Sequence, residues 1–420
     1  MRNEILDIFK ETLSAKVSFI FILLFPIILL TGSSIINTSI VLMNVFFLIH
    51  VFNNKKFQIF NNHIFYCLLF LWAFLIVNTL LNNDFGDNYP RAFGFIRFII
   101  LIFLFSYFLS YENFKFKKII FDTWSIIFIV VSLDLIFQSI FSFNSLGFTS
   151  LYPGRLGGFM GDELKIGHWY LCFSLIILSN YFDQPKKFYF FLFLIIVISF
   201  LIGERANFIR LLLAIFFLLT ITRRLSFKAL TIFIITICVT FFVMNNSEGE
   251  KIDAFKKRYI DQIYNLFNHD SFQEANNDTN NNYTPMYVNA YYIFKDNKLL
   301  GVGLGSYLER SHKKFRIIKV INGYDILPNT HPHQYHFEIL ATLGLPGYIF
   351  IFSFLFYFLF RSFRFYIVNK RIINLSSFLL VFVFCLPLLP TGSFFTTYGA
   401  SIFWLNFSLM NLGNFKNINY

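Results

Sequence analysis

Apolar runs long enough to cross a bilayer recur along nearly the whole of this chain. A membrane span takes about 17–25 predominantly apolar residues. Window hydropathy finds about twelve such runs, near residues 17–33, 36–52, 63–81, 92–110, 119–141, 165–182, 187–202, 206–222, 228–245, 337–360, 372–390 and 396–413. In lipid the backbone has to satisfy its own N–H and C=O groups, and runs of this length do so as helices. The expected fold is an all-α polytopic membrane protein. Composition supports this: 56% of the 420 residues are hydrophobic and 14% are charged, against roughly 45–50% and about 25% in soluble domains. Part of the wealth of Phe, Ile, Asn and Lys is what an AT-rich genome would encode.

Basic residues orient the spans. Lys55 and Lys56, Lys115, Lys117 and Lys118, Lys186 and Lys187, Arg223, Arg224 and Lys228, and Arg361, Arg364, Lys370 and Arg371 fill alternate short connections. Lys and Arg resist translocation, so these connections and both termini are expected in the cytoplasm. The same placement explains the net charge of +12 without nucleic acid. The first span is expected to remain as a signal anchor, because no convincing small-residue cleavage site follows it. The four cysteines, Cys67, Cys172, Cys238 and Cys385, lie within expected spans without a CxxC, so neither a disulfide framework nor a thiolate metal site is expected.

The remaining connections then face outward: NNDFGDNYPRAF (82–93), NSLGFTSLYPGRLGGFMGDELK (144–165), GERAN (203–207) and a long loop from about 246 to 336. This divides the chain into helices 1–9 (1–245), the long loop (246–336) and helices 10–12 (337–420). The Asn-rich centre of the long loop reads as a surface excursion. The segment YVNAYYIFKDNKLLG (287–301) has the pattern of a helix lying on the membrane face.

Charge beside a bilayer is costly and usually has a partner or a task. Three outward stretches concentrate it. In PGRLGGFMGDELKIGHWY (153–170), Arg155 sits in a glycine-rich turn, and Asp162 and Glu163 precede a span, where acids also serve simply as N-terminal charges. In LIGERANFIRLLLA (201–214), Glu204 and Arg205 read either as a pair closing a tight hairpin or as part of a site. Arg210 lies one and a half turns deeper and favours the site. In HPHQYHFEILATLGLPG (331–347), His331, His333 and His336 invite a zinc reading. Helical spacing puts only His333 and His336 on one face, and no acid or thiol completes a familiar set. Interfacial histidines are the plainer alternative. Gly344 and Gly347 would admit a close neighbour, a helix or a lipid. GVGLG (301–305) follows no strand and reads as a turn that returns the loop toward the histidines. Arginines with an imidazole at one outer rim suit a lipid-linked diphosphate and a hydroxyl to be activated.

In their order, GRLGGFMGDELKIGHWYL, FLIGERANFIRLLL, LLGVGLGSY and HPHQYHFEILATLGLPG resemble the O-antigen ligase and O-antigen polymerase superfamily over roughly residues 150 to 360. The resemblance implies a metal-independent glycosyltransferase of the C type, with about twelve membrane helices and one long periplasmic loop. Such an enzyme would sit in the bacterial inner membrane with its active site facing the periplasm. It would move a glycan from undecaprenyl diphosphate to a glycan or lipid A–core acceptor, without a cofactor. By position, the family histidine falls on His333, with His331 second, and the family arginines fall on Arg205 and Arg155. Many members carry a further long-loop arginine where this chain reads NYTPMYVNA; Arg258, Arg310 and Arg316 are the available substitutes. The family's His–Asn is His333–Gln334 here. GDELKIG and GERANFI look closer to polymerase forms.

The expected chemistry makes His333 the general base and Arg205 the group that meets the leaving diphosphate. Arg155 and Arg210 would assist it, and Glu204 and Glu163 would orient the arginines or bind sugar hydroxyls. A transporter or flippase is the rival reading. Such proteins place their charges at the bilayer midplane, often on broken helices within repeats, whereas these charges gather at the rim and no repeat is visible. A scaffold without chemistry is a third.

Overall fold

The computed structural model describes residues 12–82, 88–110, 114–150, 154–161, 163, 165–224, 231, 234, 284–312, 329–387 and 389–413. The described residues are helical with no strand; a single bridge joins Phe143 and Thr149. The helices are α1 (Leu13–Leu23), α2 (Phe25–Ile28), α3 (Ser33–Asn53), α4 (His63–Leu81), α5 (Asn88–Gly94), α6 (Ile96–Phe108), α7 (Phe114–Phe141), α8 (Ile166–Asn180), α9 (Pro185–Leu201), α10 (Arg205–Ile221), α11 (Thr284–Asp296), α12 (Tyr335–Asn369), α13 (Ile372–Phe384) and α14 (Thr397–Met410). Among the described residues, five stretches are long and apolar enough to cross a membrane: Ser33–Asn53, His63–Leu81, Tyr89–Phe108, Phe116–Phe141 and Tyr335–Asn369. The expected ninth span, 228–245, lies almost entirely outside the described residues.

Burial separates a centre from a lipid-facing shell. Helices α8 and α14 are buried on nearly every side, as an all-round apolar helix must be. Helix α13 packs on α8, α10, α12 and α14. Phe70, Val130, Leu133, Phe190 and Phe356 stay exposed on the outer helices, which is tolerable only against acyl chains.

Boundaries differ from the sequence reading in several places. The first span is broken at Leu24, ahead of Pro26. The expected 372–390 span stops at Phe384; Pro387 cannot continue a helix, and residues 385–387 and 389–396 belong to the connection to α14. The tenth span is longer than expected and is broken at Gly344 (φ 70°, ψ −173°).

That break explains the GVGLG turn. The backbone N–H groups of Val302 and Gly303 donate to the carbonyls of Ala341 and Thr342, each at 2.9 Å, and Leu345 N–H donates to Lys298 O at 2.8 Å. The kink leaves helix carbonyls without their usual donors, and the long loop supplies them. Gly344 therefore admits the loop's own backbone, rather than a helix or a lipid. A Cβ on Gly344 would lie 2.5 Å from Leu299 O. The expected surface helix also packs on protein: α11 stacks Tyr287 on Phe337 at 5.1 Å, and Ala290 and Ile293 cluster with Val302 and Ala341. Gly301 has φ +65° and its added Cβ would lie 2.3 Å from the Thr342 carbonyl carbon. Gly301→Ala is expected to cost about 1–3 kcal/mol, read as a lower melting temperature of the detergent-solubilised protein; an unchanged melt would refute this account of the turn.

The connections assigned outward touch one another. Leu156 N–H donates to Ile202 O at 3.1 Å, and Thr391 N–H donates to His333 O at 2.7 Å. Asn78 donates to Leu300 O at 2.8 Å and Arg91 to Leu304 O at 3.3 Å. Basic connections pair at the other ends of the same helices: Lys56 donates to Tyr107 Oη at 2.6 Å, and Arg224 reaches Phe182 O.

Candidate functional site

The site is built where α9 turns into α10. The hairpin is closed by Gly203 (φ +77°), whose added Cβ would lie 2.1 Å from Gly154 O, so the Arg155 loop lies directly against it. Arg155 Nη2 sits 3.1 Å from Glu204 Oε1, with side chains 20% and 8% exposed. Asp134 and Gln138 of α7 hold that loop from behind: Asp134 Oδ1 accepts from Ser145 N–H at 2.8 Å, and Gln138 Oε1 accepts from Gly158 N–H at 2.8 Å.

Below the hairpin lies a buried polar relay. Asn207 Nδ2 donates to Glu204 Oε2 and lies 3.0 Å from His168 Nδ1. Asn207 Oδ1 accepts from Arg210 Nη1 at 3.1 Å. Arg210 Nη2 donates to Pro390 O, and the guanidinium lies over the Phe384 ring at 5.2 Å. Arg210 is fully buried. The depth that looked costly is met by the Asn207 amide, the Pro390 carbonyl and the Phe384 ring. Gly167 makes room: a Cβ there would lie 2.3 Å from Glu204 Oε2.

The histidines stand across from this relay. His333 has φ 54°, a left-handed backbone that costs about 1–3 kcal/mol in a residue with a Cβ. Its ring lies 4.1 Å from that of His331. Thr330 Oγ1 lies 2.9 Å from His331 Nδ1. Gln334 caps α12, its Oε1 accepting from His336 N–H at 2.6 Å and Phe337 N–H at 3.2 Å. The retained amide is therefore a helix cap. His336 turns away: Nε2 donates to Cys385 O at 2.8 Å, Nδ1 lies 2.9 Å from Tyr348 Oη, and the ring stacks on Phe352. The histidines that meet are His331 and His333, not His333 and His336 as helical spacing suggested, because α12 begins only at Tyr335. Among the described residues no group of three His, Cys, Asp or Glu side chains is arranged around a metal position.

Burial depresses both basicities. His333 is pushed down to about 4, first by loss of solvation and then by the nearby His168. His331 is pushed down to about 3, by loss of solvation, then by His333, Lys165 and His168. Both are neutral at neutral pH.

The other expected residues fall as follows. Arg205 opens α10 and is half-buried. Glu163 is exposed, at 47%, and pairs with Lys165 at 2.7 Å. It precedes the Lys165 cap of α8 and is not in the first turn, so it is not an N-terminal helix charge. Arg310 is exposed; Arg258, Arg316 and Asp162 lie outside the described residues. The sequence reading missed His168, Asn207, Thr391 and the buried Glu338, which accepts from Ser393 Oγ and from Phe394 N–H. The available signal was Thr391-Gly392-Ser393, a polar triplet inside an apolar tract.

Residues 190–352 match the family model described as O-antigen ligase. Over that stretch the chain is similar to the O-antigen ligase family. The match runs from α9 through the GVGLG turn to the far side of the α12 kink, and bears out the resemblance read from the motifs. The matched stretch is less than half of the chain, and the long apolar helices agree with a membrane protein. No curated protein matches the chain. The matched stretch holds Glu204, Arg205, Arg210 and His333, whereas Arg155, His168 and Thr391 come from outside it.

Proposed function

We propose that this O-antigen ligase-type protein moves a glycan from undecaprenyl diphosphate to a hydroxyl of an acceptor, at the periplasmic face of the bacterial inner membrane. The acceptor is a glycan on a second carrier, as in a polymerase, or lipid A–core, as in a ligase. The carrying observation is the assembly, at one end of the bundle, of Arg155, Glu204 and Arg205 with the neutral His331 and His333. The alternate basic connections support the periplasmic placement.

In this reading, His333 takes the proton of the acceptor hydroxyl. The oxygen attacks the anomeric carbon, the bond to the diphosphate breaks, and configuration inverts. Charge grows on the leaving diphosphate, where Arg205 at the positive end of α10 and Arg155 beside it stabilise it. Glu204 orients the Arg155 fork. Arg210 was expected to touch the donor; with its donors on Asn207 and Pro390, it instead braces the frame. Glu163, exposed at the rim, is left for sugar hydroxyls. The step as written calls on neither nucleotide nor metal. The test is transfer by purified protein from a lipid-linked glycan, in chelator and without nucleotide. Formation of the new glycosidic bond is expected; movement of the lipid across the bilayer without bond formation would replace this reading with the transporter.

The depressed His333 basicity gives a pH signature. A diphosphate bound nearby favours the imidazolium and raises the basicity in the complex. The acid limb of kcat/KM, which reports the free enzyme, is expected near pH 4; that of kcat should lie at higher pH. A kcat/KM limb at the ordinary histidine value near 6.5 would contradict it. The sign for stability follows: unfolded chains take up the proton below about 6.5, the folded protein only near 4, so stability falls as pH drops through that window.

A further inference from the structure

Thr391 is the point where both halves of the site meet. All three of its backbone and side-chain polar groups are held. Its N–H donates to His333 O at 2.7 Å. Its Oγ1 accepts from Tyr335 N–H at 3.0 Å. Its carbonyl accepts from His168 Nε2 at 2.8 Å. The preceding carbonyl, of Pro390, is held by Arg210. The connection between α13 and α14 is thus a crossbeam, gripped below by α8 and α10 and above by the backbone that carries His333.

His168 is built for this one position. A carbonyl accepts only, so the ring proton sits on Nε2 and Nδ1 is the acceptor. Asn207 supplies the matching Nδ2–H, and its own orientation is fixed because Oδ1 takes the Arg210 donor. The ring stacks on Phe384 at 5.9 Å. Both nitrogens face protein, so the ring is committed to holding rather than to reacting. The left-handed turn at His333 persists only if its surroundings impose it, and Thr391 N–H is the bond that the structure places on that residue's carbonyl.

We infer that His168 is a positioning residue: through Thr391 it fixes the His333 turn to the Glu204–Asn207–Arg210 relay, so that the base and the diphosphate-binding end share one frame. The catalytic half of this inference rests on the glycosyl-transfer reading above; the mechanical half does not.

The test uses full-length protein in nanodiscs, with His168→Phe, which keeps the ring and loses both nitrogens, and His168→Gln, whose terminal amide can still donate to Thr391 O. Backbone hydrogen exchange of peptides covering 329–337 and 389–396 is followed together with transfer kinetics and melting. His168→Phe is expected to speed exchange in both peptides by about tenfold. It should lower kcat by about 10- to 100-fold, the order expected when a reacting group shifts by a fraction of an ångström to 1 Å. Donor KM should stay within about twofold, and His168→Gln should recover most of both losses. Unchanged exchange in His168→Phe would overturn the coupling. Faster exchange with unchanged kcat would overturn the positioning role. Equal damage in both variants with a lowered melt would reduce His168 to packing, and a raised donor KM at unchanged kcat would make it a donor contact. If the wild type transfers nothing, the glycosyl-transfer reading and the catalytic half fail together, while exchange still decides whether His168 holds the turn.

Discussion

His333→Ala is expected to slow glycan transfer by about 10²–10⁴-fold, the usual worth of a general base. The loss should fall on kcat, since the diphosphate contacts are assigned to Arg155 and Arg205 and remain in place. Arg205→Ala should also act on the step in which the leaving group gains charge, and so lower kcat as well as donor affinity. His331 provides an internal control. Its ring is 4.1 Å from His333, yet Thr330 lies 2.9 Å from its Nδ1 and its basicity is the more depressed of the two, down to about 3. A weaker base contributes less, so His331→Ala should cost markedly less than His333→Ala. A reversed order would exchange their roles; full transfer by both His333→Ala and Arg205→Ala would end the assignment.

The second large effect is on folding. Arg210→Met keeps much of the length and removes the guanidinium. Asn207 Oδ1 and Pro390 O then lose a buried donor, and each group left unsatisfied costs about 1–3 kcal/mol. A loss on the order of 2–5 kcal/mol is expected, a large fraction of a typical folding free energy. It would be read as reduced accumulation in the membrane and a lower melt in detergent. The variant that does fold should show faster exchange in the crossbeam at 389–396, because Pro390 is released. Normal accumulation, normal exchange and a raised donor KM would instead return Arg210 to the substrate.

Much of this was legible before any coordinates. The helical segments follow from hydropathy because a bilayer enforces backbone self-satisfaction, and Arg155, Glu204, Arg205 and His333 stood out because charge beside lipid has few innocent explanations. What escaped was held by geometry that hydropathy does not report. His168 sits one turn into an apolar helix, and only the bare Cα of Gly167 reveals how closely Glu204 and Asn207 approach. Thr391 passed unnoticed just beyond the expected 372–390 span, which ran too far because the apolar residues before Pro390 outweighed two prolines. Arg210 was noticed for the right reason, its depth, but one of its partners, Pro390, lies 180 residues away along the chain. His336 misled because helical spacing was extended back to His333, which precedes the helix.

The bond between the GVGLG turn and the broken α12 has a practical corollary. A membrane helix whose carbonyls depend on a distant segment for their donors is not a self-sufficient insertion unit. Exchanging long loops between homologues to transplant acceptor preference would carry this dependence along with it. A chimera with its junctions on the loop side of Thr284 keeps the repair intact; one with a junction between Leu299 and Leu304 would leave a wet backbone gap in the helix that presents the base.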